Sequence, residues 1–212
     1  MKQSTKEILG ELVGRYPALN LIKKEILKSF EILLEAIEND KKILICGNGG
    51  SAADSEHIVG ELLKSFKKPR QIKKNVYDGL IDYGEQGERL RKSLEGTIRA
   101  IALTTNSVFS TAFSNDKDYT ATFAQQVYGL GVTGDVLICI STSGNSENCV
   151  LAAVTANVCG MKTISMTGQR ESNLSAVSDV TIKVPEIETY RVQELHLPVY
   201  HCLCAMLEEE LF

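Results

Sequence analysis

The sequence predicts an α/β fold in which a five-stranded parallel sheet carries helices on both faces. Five short apolar runs lie along the 212 residues, and helical patterns fill the intervals between them. Strands that alternate with helices in this way form parallel sheets. The first three runs are apolar at every position, as expected for strands that are covered on both faces. Apolar residues make up 43% of the chain, which is enough for one domain with a hydrophobic core.

The predicted strands are these five runs. The first is Ile43 to Cys46, and the others follow at 100–103, 136–140, 163–166 and 180–184. Each run contains Ile or Val, whose branched side chains favour strands, and each has the four or five residues typical of a buried strand.

The predicted helices begin with the first 40 residues. An apolar stripe with spacings of three and four residues marks that segment as helical. Its members are Leu19, Ile22, Ile26, Phe30, Leu33 and Ile37. Further helices are predicted at 51–66, 107–129 with a break near Asn115, 145–159 and 190–211.

The segment 67–95 departs from this alternation because it is polar and loop-like, with a short helix predicted near 84–95. We interpret it as an insertion between the first two strands and not as a separate domain. The prediction is therefore a single domain over residues 1–212, with N-terminal helices at 1–40.

Composition argues against two classes of binding partner, nucleic acids and membranes. The net charge is −4, and neutralising nucleic-acid phosphates needs clustered Lys and Arg, so we expect no nucleic-acid partner. A basic stretch at 64–74 is interpreted as a solvated loop face. No apolar run approaches the roughly 20 residues that span a bilayer, so no membrane partner is expected. The chain opens on polar residues, and its six cysteines lie in apolar runs or helical patterns, which predicts free thiols and a cytoplasmic protein.

Two loops that leave strands and open helices predict a phosphate site. A glycine-rich loop at 47–51 follows the first strand, and a loop rich in Ser and Thr at 141–146 follows the third. Ligands of open α/β sheets bind outside the carboxyl ends of the strands, where N–H groups and helix dipoles attract anions. The alternatives are a tight connection for the first loop and helix capping by Asn145 or Ser146 for the second. Neither loop carries a complete nucleotide-binding signature.

The histidines suggest a second kind of site. His57 and Glu61 are four residues apart on one face of a predicted helix, and Gln193 and His201 are eight apart on another. Imidazole and carboxylate are ligands that Zn²⁺ prefers, and they are also groups that move protons. The alternatives are a surface hydrogen bond between His57 and Glu61 and a core position for His201. His196 is expected to be structural or to support a ligand.

Taken in this order, the motifs resemble the phosphoheptose isomerase family of SIS-domain proteins. The matching segments are Cys46-Gly47-Asn48-Gly49-Gly50-Ser51-Ala52-Ala53-Asp54 with His57 and Glu61, Ser141-Thr142-Ser143-Gly144-Asn145-Ser146, and Arg191-Val192-Gln193-Glu194-Leu195-His196 with His201. The resemblance runs from about residue 15 to the end, except for 67–95. It implies a SIS fold, a homotetramer with active sites at subunit interfaces, and conversion of sedoheptulose 7-phosphate to D-glycero-D-manno-heptose 7-phosphate in carbohydrate metabolism.

The resemblance also implies roles for individual residues. The family's zinc ligands, one divalent ion per site, match His57, Glu61, Gln193 and His201. Glu61 and His201 match the acid/base pair as well, and we expect Glu61 to act on carbon and His201 at the oxygens of an enediol. Whether the metal is catalytic or only positions the substrate stays open. The substrate- and phosphate-contacting positions match Asn48, Gly49, Gly50, Ser51, Asp116, Ser141, Thr142, Ser143, Ser146 and Gln193.

Non-catalytic members of the family provide the alternative function. A bacterial protein associated with the DnaA initiator shares the SIS fold, and proteins of that kind are expected to lack the full metal set. All four matching residues are present here, which favours an enzyme. Isomerases commonly carry an Arg shortly after the helical Glu, whereas Leu62-Leu63-Lys64-Ser65 occupies those positions, so the identity of the sugar rests on the resemblance alone.

Overall fold

The computed structural model describes residues 1–212 and contains the predicted sheet. Its strands are β1 Ile43–Gly47, β2 Ala100–Ala102, β3 Val136–Ile140, β4 Lys162–Thr167 and β5 Val180–Lys183. They form one sheet in the order β2-β1-β3-β4-β5, and every pair of neighbours is parallel. The predicted α/β fold with a five-stranded parallel sheet is confirmed.

Ten α-helices accompany the sheet. They are α1 Gln3–Arg15, α2 Lys23–Glu38, α3 Gly50–Leu63, α4 Lys74–Gly79, α5 Gly84–Ser93, α6 Ser107–Asp116, α7 Thr122–Leu130, α8 Glu147–Val158, α9 Asn173–Val177 and α10 Thr189–Leu211. Short 3₁₀ turns occupy Pro17–Ile22, Leu80–Tyr83 and Tyr119–Ala121. The break expected near Asn115 is present between α6 and α7. The sequence patterns did not predict α4 and α9, which are too short to show a helical period.

Alternate side chains of β1 enter two separate cores. Ile43 and Ile45 pack in a core of 30 buried residues together with side chains from α1, α2, α3 and α10. Leu44 and Cys46 join a core of 13 buried residues on the other face, which α7 and α8 cover. Every residue of the strand is therefore buried, and the physical reason for its continuous apolar sequence is this coverage on both faces.

The strand order creates a crevice between β1 and β3. The chain runs from β1 to β2 on one side of β1. It then crosses over to β3, which lies on the other side of β1. In open α/β sheets, such a switch point is where ligands bind, beyond the carboxyl ends of the strands. The loops that flank it are 47–51 and 141–146, the two predicted phosphate loops.

The segment 67–95 connects α3 to β2 and lies over the surface, except for Arg70, which is buried, so the basic stretch at 64–74 is not a solvated face throughout. Neither α4 nor the turn Leu80–Tyr83 has a buried residue, and α5 buries only Gly87. No helix of the structure combines the length and the apolar character that crossing a bilayer requires. All six cysteines are free thiols, and five of them are buried.

Candidate active site

The loop after β1 requires two of its glycines for different reasons. Gly49 has a φ of 55°, a left-handed conformation that side chains with a Cβ rarely adopt. At Gly50, a Cβ would lie 2.6 Å from Nε2 of Gln193. The absence of a side chain at Gly50 therefore lets Gln193, from α10, approach the first turn of α3. Ser51 is buried in that same turn.

Two of the four hydroxyl groups in the loop after β3 contact each other. Oγ of Ser141 lies 2.9 Å from Oγ of Ser146, and Oγ of Ser143 accepts a hydrogen bond from the backbone N–H of Asn145. Ser146 is the N-cap residue of α8, but its side chain does not cap the helix. The side chain of Asn145 instead accepts from the backbone N–H of Asn173, in α9. Helix capping is therefore not what this hydroxyl cluster does.

The N-terminus of α8 leaves donors available beside these hydroxyls. The backbone N–H groups of Glu147 and Asn148 have no partner within the chain. Thr142 is half-buried, and Ser143 is exposed. Free N–H groups at the positive end of a helix, with hydroxyls next to them, can bind an anion without a cationic side chain.

Two side-chain amides join the two loops. Nδ2 of Asn48 donates to Oδ1 of Asn148 at 2.9 Å, and Nδ2 of Asn148 donates to Oδ1 of Asn48 at 2.9 Å. Asn48 belongs to the loop after β1, whereas Asn148 lies in the first turn of α8. Sequence reasoning did not select Asn148, because nothing in the local pattern relates it to a residue 100 positions earlier.

Three of the four predicted metal ligands meet between α3 and α10. Nε2 of His57 lies 3.2 Å from Oε1 of Glu61 and 3.4 Å from Nε2 of His201. The ring of Phe66 packs against His201, with centroids 5.4 Å apart. Burial and the charge of His57 lower the pKa of His201, and Glu61 acts in the opposite direction. His201 also lines a cleft of about 430 Å³ between α1 and α10, so it is not a core histidine.

A phenol that sequence reasoning missed contacts the far side of His57. The hydroxyl of Tyr200 lies 3.1 Å from Oδ1 of Asp54 and 3.1 Å from Nδ1 of His57. Burial raises the pKa of Asp54, and burial together with the Asp54 carboxylate raises the pKa of Tyr200. The spacing of three residues between Asp54 and His57 could have indicated the carboxylate, whereas no sequence signal shows that a residue of α10 reaches it.

Other predicted residues lie elsewhere. Gln193 is eight residues before His201, so it lies about 12 Å away along α10, beside the first turn of α3. Asp116 is exposed at the end of α6 and accepts a hydrogen bond from Asn115, and none joins it to either loop. His196 is fully buried with Nε2 3.3 Å from the carbonyl of Thr167, and burial lowers its pKa to about 4, so it is structural.

The distances around His57 allow a test of whether a zinc ion fits. Zinc binds nitrogen and oxygen at about 2.0–2.2 Å in tetrahedral sites, which places two ligand atoms roughly 3.3–3.5 Å apart. The pair His57–His201 matches this separation, and His57–Glu61 comes within about 0.1 Å of it. No group of three or more His, Cys, Asp and Glu side chains is arranged to hold a metal ion. The fit is thus pairwise, and the complete ligand set stays a prediction.

The fold and the two loops at the switch point define a SIS-domain protein. In agreement, the SIS domain family matches residues 18–77 and 92–168. The unmatched residues between the two parts lie inside the segment 67–95.

Within that class, the chain is similar to phosphoheptose isomerases. The chain is 40% identical to the phosphoheptose isomerase of a Nitratiruptor species, over 84% of this chain and 82% of that protein. It is 36% identical to that of Helicobacter pylori, over 96% and 93%. The structure of phosphoheptose isomerase from Neisseria gonorrhoeae superimposes with a TM-score of 0.74 at 32% identity, covering 94% of both chains. The chain belongs to the phosphoheptose isomerase family of enzymes.

Proposed function

We propose that this protein is an aldose–ketose isomerase that converts D-sedoheptulose 7-phosphate to D-glycero-D-manno-heptose 7-phosphate with a bound divalent metal ion, zinc. The observation that carries the proposal is the contact of His57 and Glu61, on the helix that leaves the first phosphate loop, with His201 of α10. The names of the relatives support the substrate class. As the family resemblance implies, we propose a cytoplasmic homotetramer.

The separation of the two parts of the site suits a long sugar phosphate. His57 lies six residues after Ser51 on α3, which places it about 9 Å along the helix from the loop at 47–51. A substrate with phosphate at one end and a carbonyl near the other can occupy both parts at once. Hydroxyls of the loop at 141–146 and the free N–H groups of α8 would hold the phosphate.

The protein's own side chains supply the proton transfers. In the proposed reaction, the carboxylate of Glu61 removes a proton from C1 of the ketose and returns it to C2. The hydroxyl proton of O1 moves to O2 with His201 at the oxygens. Oε1 of Glu61 faces His57, whereas Oε2 lies 3.2 Å from Nζ of the exposed Lys64.

The metal would be held by the side chains that meet around His57. His57, Glu61 and His201 would bind it. The family resemblance implies Gln193 as a fourth ligand, but in this chain Gln193 lies about 12 Å from His201 along α10, beside Gly50. A divalent ion at this place supplies positive charge that stabilises the oxyanion of an enediol.

A substrate panel tests the proposal. Ketose phosphates of five to seven carbons are assayed with the purified protein as isolated, after chelation, and after addition of Zn²⁺, and bound metal is quantified by mass spectrometry. We expect turnover to be highest with sedoheptulose 7-phosphate, to be lost on chelation and to return with Zn²⁺. Absence of both turnover and bound or activating metal would overturn the proposal, and sugar-phosphate binding without turnover would instead indicate a non-catalytic regulator.

A further inference from the structure

We propose that Tyr200 and Asp54 are positioning residues that fix the tautomer of His57, placing the ring proton on Nδ1 and leaving Nε2 unprotonated. The consequence for metal binding rests on the proposed function, whereas the tautomer is a property of the metal-free protein. Nδ1 and Nε2 face different partners, so the tautomer decides which nitrogen offers a lone pair to the site.

Counting protons in the hydrogen-bonded chain leads to this assignment. The hydroxyl of Tyr200 lies 3.1 Å from both Oδ1 of Asp54 and Nδ1 of His57. A carboxylate only accepts hydrogen bonds, and a phenol has one proton to donate. If that proton goes to Asp54, the phenol oxygen must accept from His57, so Nδ1 carries the hydrogen.

The competing arrangement gives Nε2 the proton, which it would donate to Glu61. Two observations favour the first arrangement. Asp54 has no donor other than Tyr200, and its Oδ2 is buried without any partner. Glu61, by contrast, has a cationic partner other than His57 in Lys64, at 3.2 Å. Depriving a half-buried carboxylate of its one donor costs more than depriving a carboxylate that keeps another.

The position of the phenol is set by packing and not by the site. Tyr200 is 1% exposed and belongs to the larger core, so its hydroxyl is held beside His57 whether or not a ligand is present. Nε2 then points at Oε1 of Glu61 and Nε2 of His201 with its lone pair. Such an arrangement is prepared for a cation, because the outer hydrogen bond of a ligand histidine orients its ring and fixes its tautomer.

Nitrogen NMR on the metal-free protein tests the tautomer directly. The chain has only three histidines, so a sample with ¹⁵N-labelled imidazoles gives three ring systems, and His57→Gln identifies the one of interest. At mildly alkaline pH we expect the signals of a protonated Nδ1 and a bare Nε2 for His57. The opposite tautomer would overturn the proposal. This outcome does not depend on turnover or metal content, so it is independent of the proposed function.

A matched pair of variants tests the consequence. Tyr200→Phe removes only the hydroxyl, and Tyr190→Phe makes the same change at a residue of α10 that is 56% exposed. We expect Tyr200→Phe to mix the two tautomers and to raise the Zn²⁺ dissociation constant, measured by chelator competition, about 10- to 100-fold. Tyr190→Phe should change neither. A folded Tyr200→Phe protein with the tautomer and affinity of the unsubstituted chain would overturn the proposal.

Asp54→Asn provides a second route if Tyr200→Phe does not fold. The neutral amide keeps the shape of the side chain but attracts the phenol proton less strongly, so both tautomers of His57 should appear. If this variant keeps the single tautomer of the unsubstituted protein, Asp54 does not influence the tautomer of His57.

Discussion

The side-chain amides of Asn48 and Asn148 exchange two hydrogen bonds of 2.9 Å, one in each direction. These bonds cross the switch point between β1 and β3. They join the loop at 47–51 to the first turn of α8, whose free N–H groups we propose help to hold the phosphate. Each of the two therefore helps to position the other.

Asn148→Ala should weaken substrate binding more than it weakens the fold. Loss of the amide frees Asn48, and one neutral hydrogen bond contributes about 1 kcal/mol, so we expect KM for the sugar phosphate to rise roughly fivefold. The matched control is Asn157→Ala near the other end of α8, whose side chain donates to the carbonyl of Val177. That control should lower the Tm and leave KM unchanged. Equal KM values for both variants would contradict the role of the amide pair.

Ser143→Ala tests the phosphate assignment of the second loop. The side chain is exposed and lies beside the free N–H groups of α8, so we expect its loss to raise KM without changing the Tm. A hydrogen bond to a charged group contributes about 1.5–3 kcal/mol, which corresponds to roughly 10- to 100-fold in KM. Ser93→Ala, an exposed serine of α5, is the control. An unchanged KM in Ser143→Ala would exclude the assignment.

Glu61→Gln should abolish turnover while sugar-phosphate binding persists. The amide cannot remove a proton from carbon, but the loops that bind the phosphate are untouched. Glu56→Gln makes the same change at an exposed residue of α3 that accepts a hydrogen bond from Thr104. Calorimetric binding and a coupled assay, run on both variants, measure the two effects. Retained activity in Glu61→Gln would remove this residue from its role as base.

The buried pair of Arg70 and Glu208 should be a large contribution to stability. Nε of Arg70 lies 2.7 Å from Oε1 of Glu208, and both side chains are at most 1% exposed. Removing one member leaves a buried charge, so Arg70→Met should lower the free energy of unfolding by about 3–5 kcal/mol. The half-exposed pair Lys68–Glu209 is the control, and Lys68→Met should cost less than about 1 kcal/mol. Urea unfolding of both variants compares them, and similar losses would contradict the prediction.

Protonation of Asp135 in acid should lower the free energy of unfolding. Burial raises the pKa of the Asp135 carboxyl. Hydrogen bonds from the side chain and backbone of Lys42 and from the backbone of Val132, together with the charge of Lys42, lower it. These contacts outweigh burial, so the pKa lies below its ordinary value. Because the folded pKa is the lower one, the stabilisation is complete above the unfolded value of about 3.9 and is lost as the pH falls through the folded pKa.

Asp135→Asn removes this acid-dependent part. The difference in free energy of unfolding between the two proteins should be largest near neutral pH and should shrink below about pH 4, since the unfolded carboxyl titrates there. A difference that is constant between neutral pH and acid would show that Asp135 contributes no linked stability.

The end of α3 shows why local patterns placed some boundaries wrongly. The sequence predicts a helix to residue 66, but α3 ends at Leu63. The guanidinium of Arg70 donates to the carbonyls of Glu61 and Leu62, which satisfies the last turn from outside the helix. These bonds join residues eight and nine positions apart through a buried ion pair, and helical periodicity carries no information about them.

In the candidate site, too, local spacing predicted some contacts and helix packing determined others. The spacing of His57 and Glu61 indicated their contact, because residues four apart meet on any helix. The contact between His57 and His201 follows only from the packing of α3 beside α10. Gln193 shares a helix with His201, yet it lies beside Gly50 instead, since the missing Cβ there leaves room for it.

The sequence by itself determined the parallel α/β sheet, its five strands, the two loops at the carboxyl edge and the residue types of a metal or acid/base site. These features depend on periodicity, glycine content and chemistry that are local to each segment. Only the tertiary structure decided that Asn48 bonds to Asn148, that Tyr200 joins Asp54 to His57, and which of the predicted ligands meet. Those contacts span 100 to 146 residues of chain, and the packing of whole helices on the sheet determines them.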